Sequence, residues 1–355
     1  MPRFVSRPVR ILVSLAILGI VLTPLLLFGL PRSLSIAQAV LPPTLSTPIV
    51  SWGRRAYDAS RNIWQSYCTK YHPILLYVPI NGTCNFINFE FDTEITFDQY
   101  ARADAISVDT KNILVIGDSF AMGWGVDDSE TFAYHIEQTL GINVVNAAVS
   151  SFGTAREFQY AQLFHKRNYD LIILQYCNND YGENFNYVAN NISYPRPVNS
   201  FEKLQRRQPR MPPSRLVFGS RAYIELVSRI RRQIFQTTQP PKQYSTSRET
   251  LPDPTDHFQR GDWRFHRGAV ESIIKEFRPT LGNPPVLITY LNSHNRRLSN
   301  FPTTSVDNHV HFVTPELTDS DFFLLDGHLN TSGHKKLATQ IVEYLRAHLA
   351  SVVMR

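Results

Sequence analysis

The chain has 355 residues, 43% of them hydrophobic, and a formal net charge of +6. This length allows one large hydrophobic core or two smaller ones. The positive charge is compatible with nucleic acid, an anionic glycan or a membrane surface as a partner. Because the sequence has no helix-turn-helix, zinc-finger or RNA-binding signature, we expect no nucleic-acid partner.

The first thirty residues have the pattern of a membrane anchor. Arginines in Met1–Arg10 precede Ile11–Leu30, a run without any charge whose length matches the hydrocarbon core of a bilayer. The positive residues before the run favour a cytoplasmic N-terminus, with the rest of the chain in the periplasm or outside the cell. Ala37-Gln38-Ala39 resembles a signal-peptide cleavage site, so a cleaved signal peptide is the alternative, and a buried helix of a soluble fold is a third. The length of the apolar run favours the uncleaved anchor.

Residues 31–110 are predicted to form a linker and an N-terminal extension. Pro31–Ile49 is rich in Pro, Ser and Thr and is typical of a linker. Ser51–Gln65 can form a short helix. Leu75–Phe91 contains apolar runs around the tight-turn signal Asn81-Gly82, which predicts a hairpin.

The chain has three cysteines, Cys68, Cys84 and Cys177, and none lies in a Cys-x-x-Cys pair. A structural zinc site is therefore not expected. Cys68 and Cys84 either form a disulfide, if the domain lies outside the cytosol, or are two buried free thiols. Cys177 has no candidate partner within the domain if they pair.

From residue 111 to the C-terminus, strand-like and helical segments alternate. The predicted strands are Ile113–Ile116, Asn143–Asn146, Leu171–Tyr176, Val286–Leu291 and His309–Val313, and the predicted helices are about Ser129–Leu140, Thr154–Lys166 and Ser332–Val353. This alternation indicates an α/β domain with a parallel sheet covered on both faces. Leucine and isoleucine recur every four residues in the last helix, which predicts an apolar stripe that packs on the sheet.

A long insertion, about Tyr181–Arg267, separates the third and fourth predicted strands. It is rich in arginine and contains an amphipathic segment, Leu216–Phe235, followed by a proline-rich loop. One interpretation is a lid over the carboxyl edge of the sheet that binds an anionic substrate or anionic lipid. The other is a solvated basic helix docked on the domain.

The first predicted strand leads directly into Gly117-Asp118-Ser119. This places Ser119 at the carboxyl edge of the sheet, where open α/β sheets bind ligands. A serine at that place is a candidate nucleophile, although Gly-Asp-Ser can also be an ordinary turn. A serine nucleophile needs a base, and His328 in the loop before the last helix opens on the same edge, with Asp326 two residues before it.

An acyl-transfer site also needs donors for the oxyanion. The backbone N–H of Ser119, Gly153 after the second predicted strand, and the amide of Asn179 after the third are all expected on this edge. Gly153 and Asn179 can equally be turn residues.

Four short motifs in this order resemble the SGNH hydrolases of the GDSL esterase/lipase superfamily. They are Gly117-Asp118-Ser119-Phe120, Asn146–Thr154 with Gly153, Asn179-Asp180, and Asp326–His334. The resemblance covers about Asn112 to Leu349 without most of the insertion. It implies a flavodoxin-like three-layer α/β/α domain with a five-stranded parallel sheet, and no metal or organic cofactor. It also implies Ser119 as nucleophile, His328 as base, and an oxyanion hole made by the N–H groups of Ser119 and Gly153 and the side chain of Asn179.

The sequence departs from the family pattern at two positions. Cys177 stands where the third motif usually has glycine, and Leu325 stands where the acid usually lies, three residues before the histidine. Asp326 is the nearest candidate for the acid, and Asp319 or Asp321 could replace it if the loop folds back.

The sequence therefore predicts a membrane-anchored, extracytoplasmic serine esterase that acts through an acyl-Ser119 intermediate. The expected substrates are O-acyl groups of a polysaccharide, or lipid esters. A polysaccharide O-acyltransferase with the same site is the nearest alternative. A non-catalytic glycan-binding protein on a degenerate SGNH fold is the alternative from another class.

Overall fold

A computed structural model gives the fold. It describes residues 38, 40–58, 68–88, 90–98, 101–102, 112–164, 169–190, 197–206, 261–293, 297–302 and 309–353. The helices are α1 (Pro43–Asp58), α2 (Ser119–Met122), α3 (Phe132–Leu140), α4 (Thr154–Ala161), α5 (Tyr181–Asn190), α6 (Val198–Arg206), α7 (Trp263–Phe277), α8 (Thr331–His348) and α9 (Ala350–Val353). The strands are β1 (Thr69–His72), β2 (Leu76–Pro79), β3 (Gly82–Ile87), β4 (Asp92–Asp98), β5 (Ala101–Arg102), β6 (Asn112–Ile116), β7 (Asn143–Asn146), β8 (Leu171–Tyr176), β9 (Val286–Tyr290) and β10 (Val310–Val313).

The core is a five-stranded sheet in the order β10-β9-β8-β6-β7. All of its strand pairs are parallel. The sequence of β8 is Leu-Ile-Ile-Leu-Gln-Tyr and every residue of it is buried, as expected for a strand covered on both faces. The five predicted strands are confirmed, to within one residue at their ends.

Two groups of helices pack separately from each other. From β6 the chain goes to β7 at one edge of the sheet and then to β8 on the other side of β6. Because such connections are right-handed, this change of direction places helices on both faces of the sheet. Helix α8 packs against α3, whereas α7 packs against α4 and α5. The result is a three-layer α/β/α arrangement. The predicted apolar stripe of α8 is confirmed at Leu337, Ile341 and Leu345, which are fully buried.

The N-terminal extension is more structured than the sequence suggested. Helix α1 begins at Pro43, within the segment predicted as a linker. The hairpin prediction is wrong in its pairing, because β2 pairs with β1 and β3 pairs with β4. Asn81-Gly82 therefore separates two small sheets instead of closing one hairpin. Cys68 and Cys84 form a disulfide between these sheets, and Cys177 is a buried free thiol.

The prediction of a fold that includes an N-terminal transmembrane helix requires a correction. No helix in the described part of the chain has the length and apolar character needed to span a bilayer. Ile11–Leu30, on which the prediction rested, lies outside the described residues, as do the cleavage-site motif residues Ala37 and Ala39. The fold class is therefore α/β, with a five-stranded parallel sheet and no transmembrane helix among the described residues.

Only part of the predicted insertion belongs to the described residues. Helices α5 and α6 and the first turns of α7 lie in it. The amphipathic segment Leu216–Phe235 and the proline-rich loop lie outside the described residues. The lid interpretation and the division of the chain into domains stay predictions.

Candidate active site

Ser119 lies at the carboxyl end of β6 and is the first residue of α2. Asp118 caps this short helix by accepting a hydrogen bond from the N–H of Phe120 at 3.0 Å. Gln175 of β8 accepts from the N–H groups of Asp118 and Ala121 through one oxygen, at 3.2 and 3.1 Å. The central strands of the sheet thus fix the turn that presents Ser119.

His328 reaches Ser119 across the carboxyl edge of the sheet. The hydroxyl Oγ of Ser119 lies 2.7 Å from Nε2 of His328. The other ring nitrogen, Nδ1, is hydrogen-bonded to Oδ1 of Asp326. Because the carboxylate can only accept, the proton belongs on Nδ1, and Nε2 is left to accept from the serine hydroxyl. The three side chains form one continuous chain of hydrogen bonds.

Asp326 is buried but remains charged. Its second oxygen accepts from the hydroxyl of Tyr57 at 2.6 Å and from Nε1 of Trp124 at 3.2 Å. Burial alone would raise the pKa of Asp326, but the charge of a protonated His328 and the hydrogen bonds from His328, Tyr57 and Trp124 outweigh it and lower the pKa to about 2. The carboxylate is therefore ionised at neutral pH and can stabilise a protonated His328.

A tight loop brings Asp326 to His328 although only Gly327 separates them. The N–H of Phe323 donates to the carbonyl of His328 at 2.8 Å, and the N–H of Gly327 donates to the carbonyl of Phe323 at 3.0 Å. Gly327 has a φ of 83°, a conformation that favours glycine. We call Phe323–His328 the acid loop. Leu325, at the position where the family has its acid, is buried.

The two alternative acids do not have the contacts of Asp326. Asp321 accepts from the N–H of Thr318 at 2.7 Å and from Nζ of Lys336 at 3.3 Å. Asp319 is exposed in the same turn. Asp326 is therefore the carboxylate that the structure places on His328.

Asn179 lies in the turn after β8. Its side-chain amide donates to Oδ2 of Asp118 at 3.1 Å, which places it beside the residue that precedes Ser119. Gly153 is the residue before α4, at the end of the loop that follows β7. This loop continues along β6, because the N–H of Val149 donates to the carbonyl of Gly117 at 3.0 Å. The oxyanion role of Asn179 and Gly153 stays a prediction.

Cys177 lies in the interior beneath the site. It is buried, and its thiol lies 3.8 Å from the side-chain oxygens of Asn178 and Asn292. Burial, reinforced by the carboxylates of Asp118 and Asp180, raises the pKa of the Cys177 thiol well above its usual range. A neutral thiol of this kind is a packing residue and not a nucleophile.

A group of buried carboxyls beneath the site was not predicted from the sequence. Burial raises the pKa values of Asp118, Glu157 and Asp180, and mutual repulsion among their charges raises those of Glu157 and Asp180 further. Arg156 and Glu183 form an ion pair at the border of this group. In the part of the chain that the structure describes, no group of three or more His, Cys, Asp or Glu residues is arranged to hold a metal ion.

Three further residues around Asp326 were also missed by sequence reasoning. Tyr57, Glu90 and Trp124 contact the acid loop from positions more than 200 residues earlier in the chain. No local pattern marks any of them. The contacts of Tyr57 and Glu90 depend on how the N-terminal extension folds onto the sheet, and the contact of Trp124 joins two loops that are 202 residues apart in sequence.

Comparison with known proteins gives similarities in structure only. No protein-family model matches the chain, and no curated protein matches it. Among solved structures, a carbohydrate esterase family 2 enzyme from Corynascus thermopiles (Myceliophthora fergusii) has 12% identity and a TM-score of 0.39, over 70% of this chain and 69% of that one. The acetyl xylan esterase Est2A from Butyrivibrio proteoclasticus has 15% identity and a TM-score of 0.38, over 69% and 66%. A putative lipolytic protein of the G-D-S-L family from Desulfitobacterium hafniense has 10% identity and a TM-score of 0.35, over 66% and 99%.

The third of these is described as a protein of the G-D-S-L family, and the motifs of this chain resemble the GDSL esterase/lipase superfamily. The identities of all three are 15% or lower and their TM-scores are 0.39 or lower. The motifs and the geometry around Ser119 are therefore what point to a function.

Proposed function

We propose that this chain is an SGNH-type serine ester hydrolase that acts through an acyl-Ser119 intermediate. The observation that carries the proposal is the continuous hydrogen-bonded chain from Oγ of Ser119 through His328 to the ionised Asp326. A serine hydroxyl is a weak nucleophile, and a neutral imidazole held by a carboxylate is the arrangement that activates it.

The reaction follows from the roles of these groups. Ser119 Oγ attacks the ester carbonyl while Nε2 of His328 takes its proton, and Asp326 stabilises the resulting imidazolium. The N–H groups of Ser119 and Gly153 and the amide of Asn179 would stabilise the oxyanion. His328 then gives the proton to the leaving alcohol, and a water molecule activated by His328 hydrolyses the acyl-enzyme.

The proposed substrates are O-acyl groups of a polysaccharide, with lipid esters as the second class. We place the reaction outside the cytosol, because the Cys68–Cys84 disulfide favours an oxidising compartment. Transfer of the acyl group to a sugar hydroxyl would use the same residues. It would differ only in the acceptor that enters after the first alcohol leaves.

The nucleophile is tested by reaction with a fluorophosphonate probe, which labels activated serines. We expect the parent to be labelled, and Ser119→Ala and His328→Ala to lose labelling and ester hydrolysis by at least about a thousandfold. Ser272→Ala is the matched control, since Ser272 lies exposed on α7 with its hydroxyl bonded to the carbonyl of Gly268. Melting curves check that each variant is folded. Labelling of Ser119→Ala at the parent rate would exclude Ser119 as nucleophile.

A second measurement separates hydrolysis from transfer. The parent is incubated with an acetylated oligosaccharide, with and without a second, unacetylated oligosaccharide, and the products are identified by mass. Free acetate in both reactions indicates a hydrolase. Acetate transferred to the second oligosaccharide indicates the transferase. A folded parent that is neither labelled nor active would favour the glycan-binding alternative, which binding to the same oligosaccharides would then test.

A further inference from the structure

Residues of the N-terminal extension surround the acid of the proposed triad. Tyr57 of α1 donates its hydroxyl proton to Oδ2 of Asp326 at 2.6 Å. Glu90, between β3 and β4, accepts through one oxygen from the N–H groups of Leu325 and Asp326, at 2.9 and 2.8 Å. Tyr57 therefore holds the side chain of Asp326, and Glu90 holds its backbone.

The hydroxyl of Tyr57 is oriented toward Asp326 by a second contact. Tyr57 is fully buried, and Nδ2 of Asn88 donates a hydrogen bond to its oxygen. Since a phenol has a single proton and Asn88 occupies a lone pair, the proton of Tyr57 points at the carboxylate. The other oxygen of Asp326 faces Nδ1 of His328, so both ends of the carboxylate are fixed.

The acid loop is tied to the extension at several points beyond Asp326. Nε of Arg54 on α1 donates to the carbonyl of Leu324 at 3.0 Å. The rings of Phe91 and Phe323 lie 5.2 Å apart. Phe91 and Phe86 also pack on Trp124, which donates to Asp326, with ring centroids 5.8 and 4.9 Å away.

The short spacing between Asp326 and His328 explains why the acid loop needs contacts from the extension. With only Gly327 between Asp326 and His328, the loop turns the N–H groups of Leu325 and Asp326 away from its own carbonyls and toward Glu90. Without an acceptor, these two N–H groups would be buried and unpaired, at a cost that favours another loop conformation.

We infer that Tyr57 and Glu90 are positioning residues for the reaction at Ser119, because they hold the acid loop so that a carboxylate two residues before His328 reaches its Nδ1. This inference rests on the proposed function. It makes the N-terminal extension a part of the active site and assigns a function to a segment that the family motifs do not cover.

The role of Tyr57, which holds the side chain of Asp326, is tested with Tyr57→Phe in the full chain. This change keeps the ring and removes only the hydroxyl. We expect kcat to fall about tenfold with KM unchanged, because the lost hydrogen bond orients a charged group that acts in the transition state. Tyr187→Phe is the matched control: Tyr187 donates to Oε1 of Glu276 at 2.7 Å on the helical layer, and its loss should leave kcat unchanged.

The role of Glu90, which holds the backbone of the acid loop, is tested with two substitutions. Glu90→Gln keeps an acceptor oxygen for the N–H groups of Leu325 and Asp326, whereas Glu90→Ala removes it. We expect Glu90→Gln to keep kcat within about threefold and Glu90→Ala to lose at least about tenfold, again with KM unchanged. If Glu90→Gln keeps the kcat that Glu90→Ala loses, the acceptor oxygen at this position is what matters, and the charge of Glu90 is not.

The outcomes distinguish this inference from the proposed function. If the parent is labelled and Ser119→Ala is not, the proposed function holds, and parent-level kcat in both Tyr57→Phe and Glu90→Ala would overturn the inference alone. If Tyr187→Phe lost as much kcat as Tyr57→Phe, the inference would also be overturned, because removal of any buried tyrosine hydroxyl would then lower kcat through general stability. Equal labelling of the parent and Ser119→Ala would overturn the proposed function and the inference together. If one variant fails to fold, the other carries the test.

Discussion

Asp326 and Glu90 are neighbouring carboxyls whose pKa values are shifted in opposite directions. The pKa of Asp326 is lowered to about 2, whereas burial, with a smaller contribution from the charge of Asp326, raises the pKa of Glu90 to about 7. The difference comes from their partners. Asp326 accepts from His328, Tyr57 and Trp124, whereas backbone N–H groups offset the burial of Glu90 only in part. At pH values between these two pKa values, Asp326 is charged while Glu90 is mostly protonated.

The raised pKa of Glu90 predicts a pH dependence of stability. A carboxyl with a pKa of 4.5 when unfolded and about 7 when folded binds its proton more tightly in the folded state. The stabilisation of the folded state that results from this difference is present in full below pH 4.5 and is lost as the pH rises through 7. Relative to Glu90→Gln, the parent should lose about 3 kcal/mol of unfolding free energy between about pH 4 and about pH 8.

Urea unfolding of the parent and Glu90→Gln at several pH values measures this difference. The comparison with the variant removes the contributions of the other buried carboxyls, Asp118, Glu157 and Asp180, whose pKa values burial also raises. A difference between the two proteins that stays constant over this pH range would show that Glu90 titrates in the same way folded and unfolded.

At the scale of the elements, the junction between β6 and α2 determines where Ser119 points. Gly117 has a φ of 155°, and a Cβ there would lie 2.7 Å from the Cβ of Ala121 and 2.8 Å from Oε1 of Gln175. That oxygen is the acceptor for the first N–H groups of the junction. Glycine is therefore required both by the backbone conformation and by the close approach of β8.

Gly117→Ala should destabilise the protein by about 3 kcal/mol, because the added methyl group must displace Gln175 or the start of α2. Gly268→Ala is the control, since nothing lies within 4 Å of a Cβ at that position on α7. It should be neutral or stabilise the protein by up to about 1 kcal/mol. Equal melting temperatures of the two variants would contradict the close approach at Gly117.

The elements of the central sheet could be predicted because their signals are local. The apolar run Leu171–Tyr176 has the length and composition of a buried strand, and the structure has β8 over the same residues. Parallel strands share one carboxyl edge, so the contact between Ser119 and His328 followed from the order of the elements.

The remainder of the site depends on contacts that no local pattern encodes. Asn81-Gly82 is a strong turn signal, but which strands pair across it depends on how the small sheets pack. Tyr57 is 269 residues from Asp326 in sequence, and Glu90 is 236 residues from it. A single sequence contains no measure of such proximity, so the contribution of the extension became visible only in the folded chain.

At the scale of the whole molecule, the extension and the α/β domain form one structural unit around the site. Tyr77 of β2 donates to the carbonyl of Ser150, in the loop that leads to Gly153, at 2.7 Å. Arg102 of β5 donates to the carbonyl of Met122, the last residue of α2, and to those of Gly123 and Val126 just after it. The extension thus contacts the loops of the nucleophile, of the acid and of one predicted oxyanion donor.

The Cys68–Cys84 disulfide stabilises the extension and hence this arrangement. It joins Cys68, the residue before β1, to Cys84 of β3 across a separation of 16 residues. Closing a loop of that length removes enough entropy from the unfolded chain to stabilise the folded state by about 3 kcal/mol. We therefore expect Cys68→Ala with Cys84→Ala to lower the free energy of unfolding by about 3 kcal/mol or more.

Cys177→Ala is the control for this change, because Cys177 is as deeply buried but forms no cross-link. Dithiothreitol should lower the melting temperature of the parent and of Cys177→Ala, and leave that of the double variant unchanged. Since Tyr57 and Glu90 belong to the extension, ester hydrolysis should be lost together with the extension as reduced protein is warmed. Hydrolysis that survives after the extension has unfolded would show that the α/β domain positions Asp326 without it.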